Sequence, residues 1–262
     1  MRPVIVKLGG SVITDKRKPF TVKRAVIRRL ARELKEVWEP LVIVHGGGSF
    51  GHPLALKYRI AEGYRHRKQL IGISHTHLAM ERLNRHLIEA LQSEGIPAMA
   101  CQPSACTLTA NGRIESMDLR PLRKMLALGL VPVLYGDVVL DAAQGVSILS
   151  GDQMVSYLAR KLGASRVVLG VDVDGVFTSC PKKDSRARLL RVITPEDVEL
   201  VQSMEKEARG DVTGGMRAKV QELLELARLG IEAEIVNAAR PNVLREALKG
   251  KRGLGTMITG GK

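Results

Sequence analysis

Aromatic side chains are scarce: Phe, Trp and Tyr make up 3% of the 262 residues, with a single tryptophan. That leaves little surface on which unpaired nucleic-acid bases could stack. No apolar run approaches the roughly 18 residues of a membrane-spanning helix. Met1 leads straight into a strand-like segment without the apolar core of a secretion signal. Cysteine is limited to Cys101, Cys106 and Cys180, an odd number with no CxxC pair and no histidine at zinc-finger spacing. Ordinary reduced thiols are expected, rather than metal ligands or catalytic cysteines. These absences together predict a cytosolic protein.

What is abundant is positive charge. Forty-one Lys and Arg stand against 27 Asp and Glu, a net +14; most of this is expected to be solvated surface, and it raises two possible partners, an anionic small substrate or a nucleic acid. The basic residues fall in short separate clusters, 16–18, 65–68 and 249–252, and with so few aromatics a small anion is favoured over nucleic acid. Apolar residues at 45% and charged residues at 26% suit one large α/β domain or two closely joined lobes.

The segment around which the chain is organised is 41–53, LVIVHGGGSFGHP. Leu41, Val42, Ile43 and Val44 read as a buried strand that stops at His45 and three glycines. Glycine lets the backbone approach a ligand with its N–H groups turned outward, and a strand ending in such a loop is an anion cradle. Gly51 and His52 are expected at the start of the next helix, where free N–H groups and the helix dipole favour a phosphate.

The rest of the chain repeats the theme. Residues 3–8 read as a strand broken by Gly9, Gly10 and Ser11, and a polar loop carrying Lys16 and Lys18 is expected to follow. Lys7 lies inside that apolar strand, a costly place for a cation unless an anion or carboxylate meets it. Helical periodicity over 22–37 connects this strand to the one at 41–44, giving a parallel βαβ unit with both glycine turns at one sheet edge. A helix over 69–92, a strand at 97–101, a hairpin over 107–115 turning at Asn111-Gly112, a helix over 118–128 and a strand at 131–135 running into Gly136 and Asp137 follow.

Near 150 a second set of elements begins. Asp152 falls in the cap or first turn of a helix reaching 162, a strand at 166–171 runs into the acidic turn 172–176, and 178–191 is polar and basic. Residues 211–216 open a helix that reaches 229 with Lys219 in its first turns. A cation is disfavoured there unless an anion shares the site. A strand at 232–236, a helix at 242–248 and a last strand after Gly255 complete the chain.

Three glycine turns and three lysines at element ends describe a seat for several phosphates, which is what phosphoryl transfer needs. In this reading Lys7, Lys16 and Lys219 supply charge. The Gly9-Gly10, Gly46-Gly47 and Gly214-Gly215 amides supply hydrogen bonds, and Asp152 pairs with two of the lysines. Yet the sequence lacks GxxxxGK[ST], GxGxxG and the HRD and DFG motifs, so a phosphotransferase here is of another design.

The stretches KLGGS (7–11), HGGG (45–48), SGD (150–152), DVDGV (172–176) and TGGMRAK (213–219), in that order over nearly the whole chain, resemble the amino acid kinase family. Within it GSFGH (48–52) resembles the branch that acts on isopentenyl phosphate. The resemblance implies an open three-layer αβα sandwich on a mainly parallel sheet, with 1–149 as the acceptor lobe and 150–262 as the ATP lobe. It further implies a cytosolic homodimer that uses ATP and Mg2+ to make isopentenyl diphosphate in an archaeal-type mevalonate route.

Carried over residue by residue, the resemblance places Lys7, Lys16 and Lys219 around the transferred group, with Asp152 organising lysines. Gly46, Gly47, Gly51 and His52 hold the acceptor phosphate near Gly136 and Asp137. Lys7, Gly9, Gly10, Ser11, Asp174, Gly175, Gly214, Gly215 and Lys219 border the nucleotide, and no side-chain metal site is implied. The alternatives are a related kinase of fosfomycin or another small acid, and a catalytically silent metabolite sensor.

Overall fold

Val4–Leu8 is buried at all five positions, the pattern of a strand covered on both faces. It is flanked by parallel partners on either side, Leu41–His45 and Arg166–Val171. The computed structural model describes residues 2–179, 184–203 and 215–261. Among these, eight strands form one sheet. From one edge to the other it runs Val192–Ile193, Thr256–Ile258, Ala233–Asn237, Arg166–Val171, Val4–Leu8, Leu41–His45, Val131–Tyr135 and Ala98–Ala100. All neighbours are parallel except Ala233–Asn237 and Thr256–Ile258. The expected α/β architecture with a mainly parallel central sheet is therefore present, and the sheet runs unbroken through both halves of the chain.

Helices cover both faces. Arg24–Lys35 and Gln69–Ser93 pack with Ile27, Leu30, Leu83 and Leu87 against Val6, Ile43 and Val133. On the other face Gly151–Leu162 and Gly215–Ala227 pack with Val155, Leu158, Val220 and Leu223 against Ile5, Val44 and Leu169. Fully burying one such aliphatic side chain stabilises the fold by about 1.5–3 kcal/mol.

Three expectations need correction. The segment after Ser11 begins as a helical turn, Gly10–Ile13, with Val12 and Ile13 buried; four residues are too few to show a helical period. The helix after the second glycine turn starts at Gly48 and reaches Lys57, so Gly51 and His52 lie inside it rather than at its start. The missing cap comes from elsewhere in the chain, because Thr14 Oγ1 accepts from the Ser49 N–H at 3.0 Å. Pro53 sits within the same helix and cannot donate to the Ser49 carbonyl, which instead accepts from the Phe20 N–H at 3.1 Å.

The third correction concerns 137–149. Asp137–Asp141 and Gly145–Leu149 form an antiparallel pair that joins the 107–117 hairpin in a separate four-stranded sheet. The hairpin does turn at Asn111-Gly112, both at positive φ. Cys101 and Cys106 are free thiols. Cys180, part of the 178–191 stretch, and the start of the expected 211–229 helix lie outside the described residues.

Candidate active site

The parallel strands end together, and the next backbone N–H of each continues the ladder. Gly9 donates to Gly170 O at 2.8 Å, Gly46 to Leu8 O at 3.0 Å and Gly136 to His45 O at 3.0 Å. The turns at 9–10, 46–48 and 136 therefore line one carboxyl edge of the sheet, where open α/β sheets bind ligands. The first two turns touch backbone to backbone. A Cβ on Gly46 would stand 2.9 Å from Gly10 N, and one on Gly10 would overlap Gly48. Gly48 itself has φ +49°, so this contact requires glycine on both sides.

Lys7, 5% exposed, extends from the central strand to this edge and meets Asp152 Oδ1 at 2.5 Å. Asp152 stands in the first turn of Gly151–Leu162, where the helix dipole favours a carboxylate. Ser150 caps that helix by accepting from Gln153 N at 3.1 Å. Gly151 permits the close seating, since a Cβ there would meet Lys7 Cε at 3.1 Å and His45 O at 3.4 Å. Lys219 comes from the opposite half of the chain, with Nζ 3.6 Å from Asp152 Oδ2 and donating to Gly215 O at 3.1 Å. Two ammonium groups thus converge on one buried carboxylate beside the glycine turns. Oriented cations are what an anionic phosphoryl group binds; the Gly9 and Gly46 N–H groups expected to serve it are instead spent on the ladder, and that of Gly51 on Gly47 O, because each continues a strand or lies inside a helix.

On the other side of the turns, the half-buried His52 places its ring edge by Gly47, where an added Cβ would meet His52 Cδ2 at 3.4 Å. Met80 supports the cradle from beneath, its Sδ 3.2 Å from a Cβ added to Gly47 and 2.8 Å from one added to Gly51. His45 is a framework residue. It stacks on Tyr135 at 5.5 Å and reaches Gly46 O at 3.2 Å and the Asn84 side chain at 3.3 Å. Complete burial lowers its pKa to about 4, so the ring is neutral and one of its nitrogens is an acceptor.

The remaining expected residues are placed as follows. Ser11 Oγ donates to Asp172 Oδ1 at 2.8 Å. Asp174 accepts from Asn237 and Arg240, each at 2.8 Å, and Gly175 at φ +140° packs on Thr256. Gly215 opens the described part of the Lys219 helix, and Gly214 lies outside the described residues. Lys16 and Lys18 are exposed on the turn between Thr14 and Val22. Asp137 is buried, with its carboxylate committed to His77, Ser104 and Val138. Lys23, Met80, Asn84 and His77 carry no motif, and the first of these donates from Nζ to Ser11 O at 2.7 Å.

A mostly parallel sheet whose carboxyl edge carries glycine turns and a lysine–aspartate–lysine bridge defines a phosphotransferase of the amino acid kinase type. The model of the amino acid kinase family matches residues 2–237, and the chain belongs to this family. Isopentenyl phosphate kinase of Methanothermobacter thermautotrophicus is 45% identical over 98% of this chain and 99% of its own length. That of Methanocaldococcus jannaschii is 34% identical over 94% and 95%. A crystal structure of isopentenyl phosphate kinase superposes with TM-score 0.87 at 42% identity, covering 98% of this chain and all of the other. The chain groups with these isopentenyl phosphate kinases.

Proposed function

We propose that this chain transfers the γ-phosphoryl group of ATP to the phosphate of isopentenyl phosphate, giving isopentenyl diphosphate and ADP. The observation that carries the reading is the buried Asp152 bridge between Lys7 and Lys219 at the glycine-lined sheet edge. The likeness to isopentenyl phosphate kinases supports the choice of acceptor.

The acceptor is already an anion, so its attacking oxygen needs no strong general base. Catalysis is positioning and charge neutralisation. Gly46, Gly47 and Gly51, lacking a Cβ, let the acceptor phosphate come close to the backbone beside Gly136, and His52 holds and orients it. Lys7 and Lys219, held in place by Asp152, neutralise charge on the group in flight. Lys16, on its exposed turn, adds a cation if the turn folds over the phosphates. Gly9, Gly10, Ser11, Asp174, Gly175, Gly214 and Gly215 border ATP. The lobes divide this labour, 1–149 for the acceptor and 150–262 for the nucleotide, and the pairing of Val4–Leu8 with Arg166–Val171 joins them.

Among the described residues no cluster of three or more His, Cys, Asp or Glu could hold a metal ion. A site built of lysines and amides fits Mg2+ carried on the nucleotide's phosphate oxygens, where it supplies further charge neutralisation. The reading includes a cytosolic homodimer that binds neither membrane nor nucleic acid. Among the described residues no helix is long and apolar enough to cross a membrane, and exposed Leu70, Ile71 and Leu78 on one helix offer apolar surface to a second copy.

Release of ADP from Mg-ATP, measured with isopentenyl phosphate, fosfomycin, UMP and acetylglutamate in turn, tests the assignment. Selective turnover of isopentenyl phosphate is expected. Turnover of fosfomycin alone would reassign the His52 pocket, and silence with all four would favour a sensor.

A further inference from the structure

Outside the lysine bridge, a second buried charge cluster lies beside the acceptor seat. Asp137 follows Gly136, whose N–H is bound to His45 O and whose Cα faces Gly151 N, 3.5 Å from where a Cβ would be. The Asp137 carboxylate is fully enclosed. Oδ1 accepts from the Val138 N–H at 2.8 Å and Oδ2 from the Ser104 N–H at 3.3 Å, so it ties the 103–105 turn to the strand that leaves Gly136. His77, projecting from the middle of Gln69–Ser93, places Nδ1 2.9 Å from Oδ1 and 3.2 Å from Oδ2. One carboxylate thereby joins three segments that meet at the Gly136 turn. Its negative charge is also one residue from where a phosphate dianion is to sit, an unfavourable juxtaposition unless a cation offsets it.

We propose that His77 is a positioning residue for the acceptor phosphate: its imidazolium neutralises Asp137, so that the carboxylate anchors the Gly136 turn without repelling the incoming dianion. The inference rests on the reading of 46–52 and 136 as the acceptor seat. The charged and titratable groups facing His77 are Asp137 on the strand, Glu81 on its own helix with Oε1 3.5 Å from Nε2, and, around the same carboxylate, the Tyr135 hydroxyl and the Cys106 thiol. Gln102 closes the cluster, its amide nitrogen 3.3 Å from His77 Nε2 and donating to Ser104 Oγ at 2.9 Å; against a protonated ring the amide turns over to present its oxygen. The hydrogen bond to Asp137 is the main influence raising the His77 pKa, in opposition to partial burial.

The test compares steady-state kinetics of the unmodified chain, His77→Gln, and the double variant His77→Gln with Asp137→Asn, using isopentenyl phosphate and Mg-ATP. His77→Gln is expected to raise the acceptor KM roughly ten-fold, the worth of one uncompensated charge nearby, and to leave the ATP KM within about two-fold. The double variant keeps a neutral hydrogen-bonded pair and is expected to return the acceptor KM to within about three-fold of the unmodified value. In the unmodified chain the acceptor KM rises with pH as His77 loses its proton, and the double variant lacks that rise. Equal rises in both KM values, or a double variant no better than the single, would overturn the proposal.

An unmodified chain that ignores isopentenyl phosphate would remove the acceptor assignment instead. The pair itself is then decided by NMR titration of the His77 ring. A midpoint above the ordinary histidine value that falls in Asp137→Asn supports the charged pair, and a midpoint at or below that value overturns it whatever the turnover.

Discussion

Lys7 and Asp152 are 145 positions apart in sequence and form a 2.5 Å ion pair with both side chains almost fully buried. Removing one partner of such a pair leaves the other charge buried without it, at a typical cost of about 3–5 kcal/mol. Asp152→Ala is expected to lower stability by that order in urea unfolding. It also loses turnover by about a hundred-fold or more as the two lysines lose their common anchor. A variant with unaltered unfolding and turnover would remove the bridge from both roles.

His52→Ala gives a different signature. Its half-buried ring borders Gly47, so turnover is expected to fall by about 10²-fold through loss of a donor to the acceptor phosphate. Thermal unfolding should shift by less than about 1 kcal/mol, the range of substitutions that open no core cavity. Full activity in this variant would assign the acceptor phosphate to other groups.

Gly10→Ala tests the contact between the two glycine turns. The added methyl overlaps Gly48 and forces the turns apart, with an expected destabilisation of about 1–3 kcal/mol. The KM values for both substrates rise together, because the two cradles share this contact. A rise in only one KM would mean that the turns move independently.

His45 gives stability a defined pH dependence. Its folded pKa of about 4 lies below the ordinary 6.5 because burial disfavours the charged ring. The unfolded chain therefore binds the additional proton between these values, and stability contributed by the neutral ring is full above pH 6.5 and is lost progressively as pH falls toward 4. The loss amounts to about 3 kcal/mol. Urea midpoints measured across this window should fall with decreasing pH in the unmodified chain and fall less in His45→Gln; identical slopes would show that other groups dominate.

Sequence alone made the lysine bridge legible because both of its lysines violate a local preference. A lysine in an apolar strand and another near a helix start both ask for an anion, and Asp152 in a first turn is available to both. The parallel core was equally legible from apolar runs ending in glycine. What stayed hidden depends on groups brought from elsewhere. A helix beginning at Gly48 is masked by three poor helix formers, and its Ser49 N–H is satisfied by Thr14, thirty-five positions before Ser49. The 137–149 pair is hidden because its residues follow another apolar strand with only Gly136 between them. His77 and Asp137 lie sixty positions apart on a helix and a strand, and neither has a neighbour that signals the other.

The central place of Val4–Leu8 also bears on how the protein is made. During synthesis this strand emerges ahead of Leu41–His45 and finds it early, but its other ladder edge has no partner until Arg166–Val171 has been added. At about 5–20 residues per second that interval lasts several seconds or more. For that time the apolar middle of the future sheet is an open edge able to pair with another chain. The nascent amino-terminal half is therefore expected to depend on a chaperone or on slow crowding-free release, and truncation before residue 166 should yield aggregates rather than a stable half-protein.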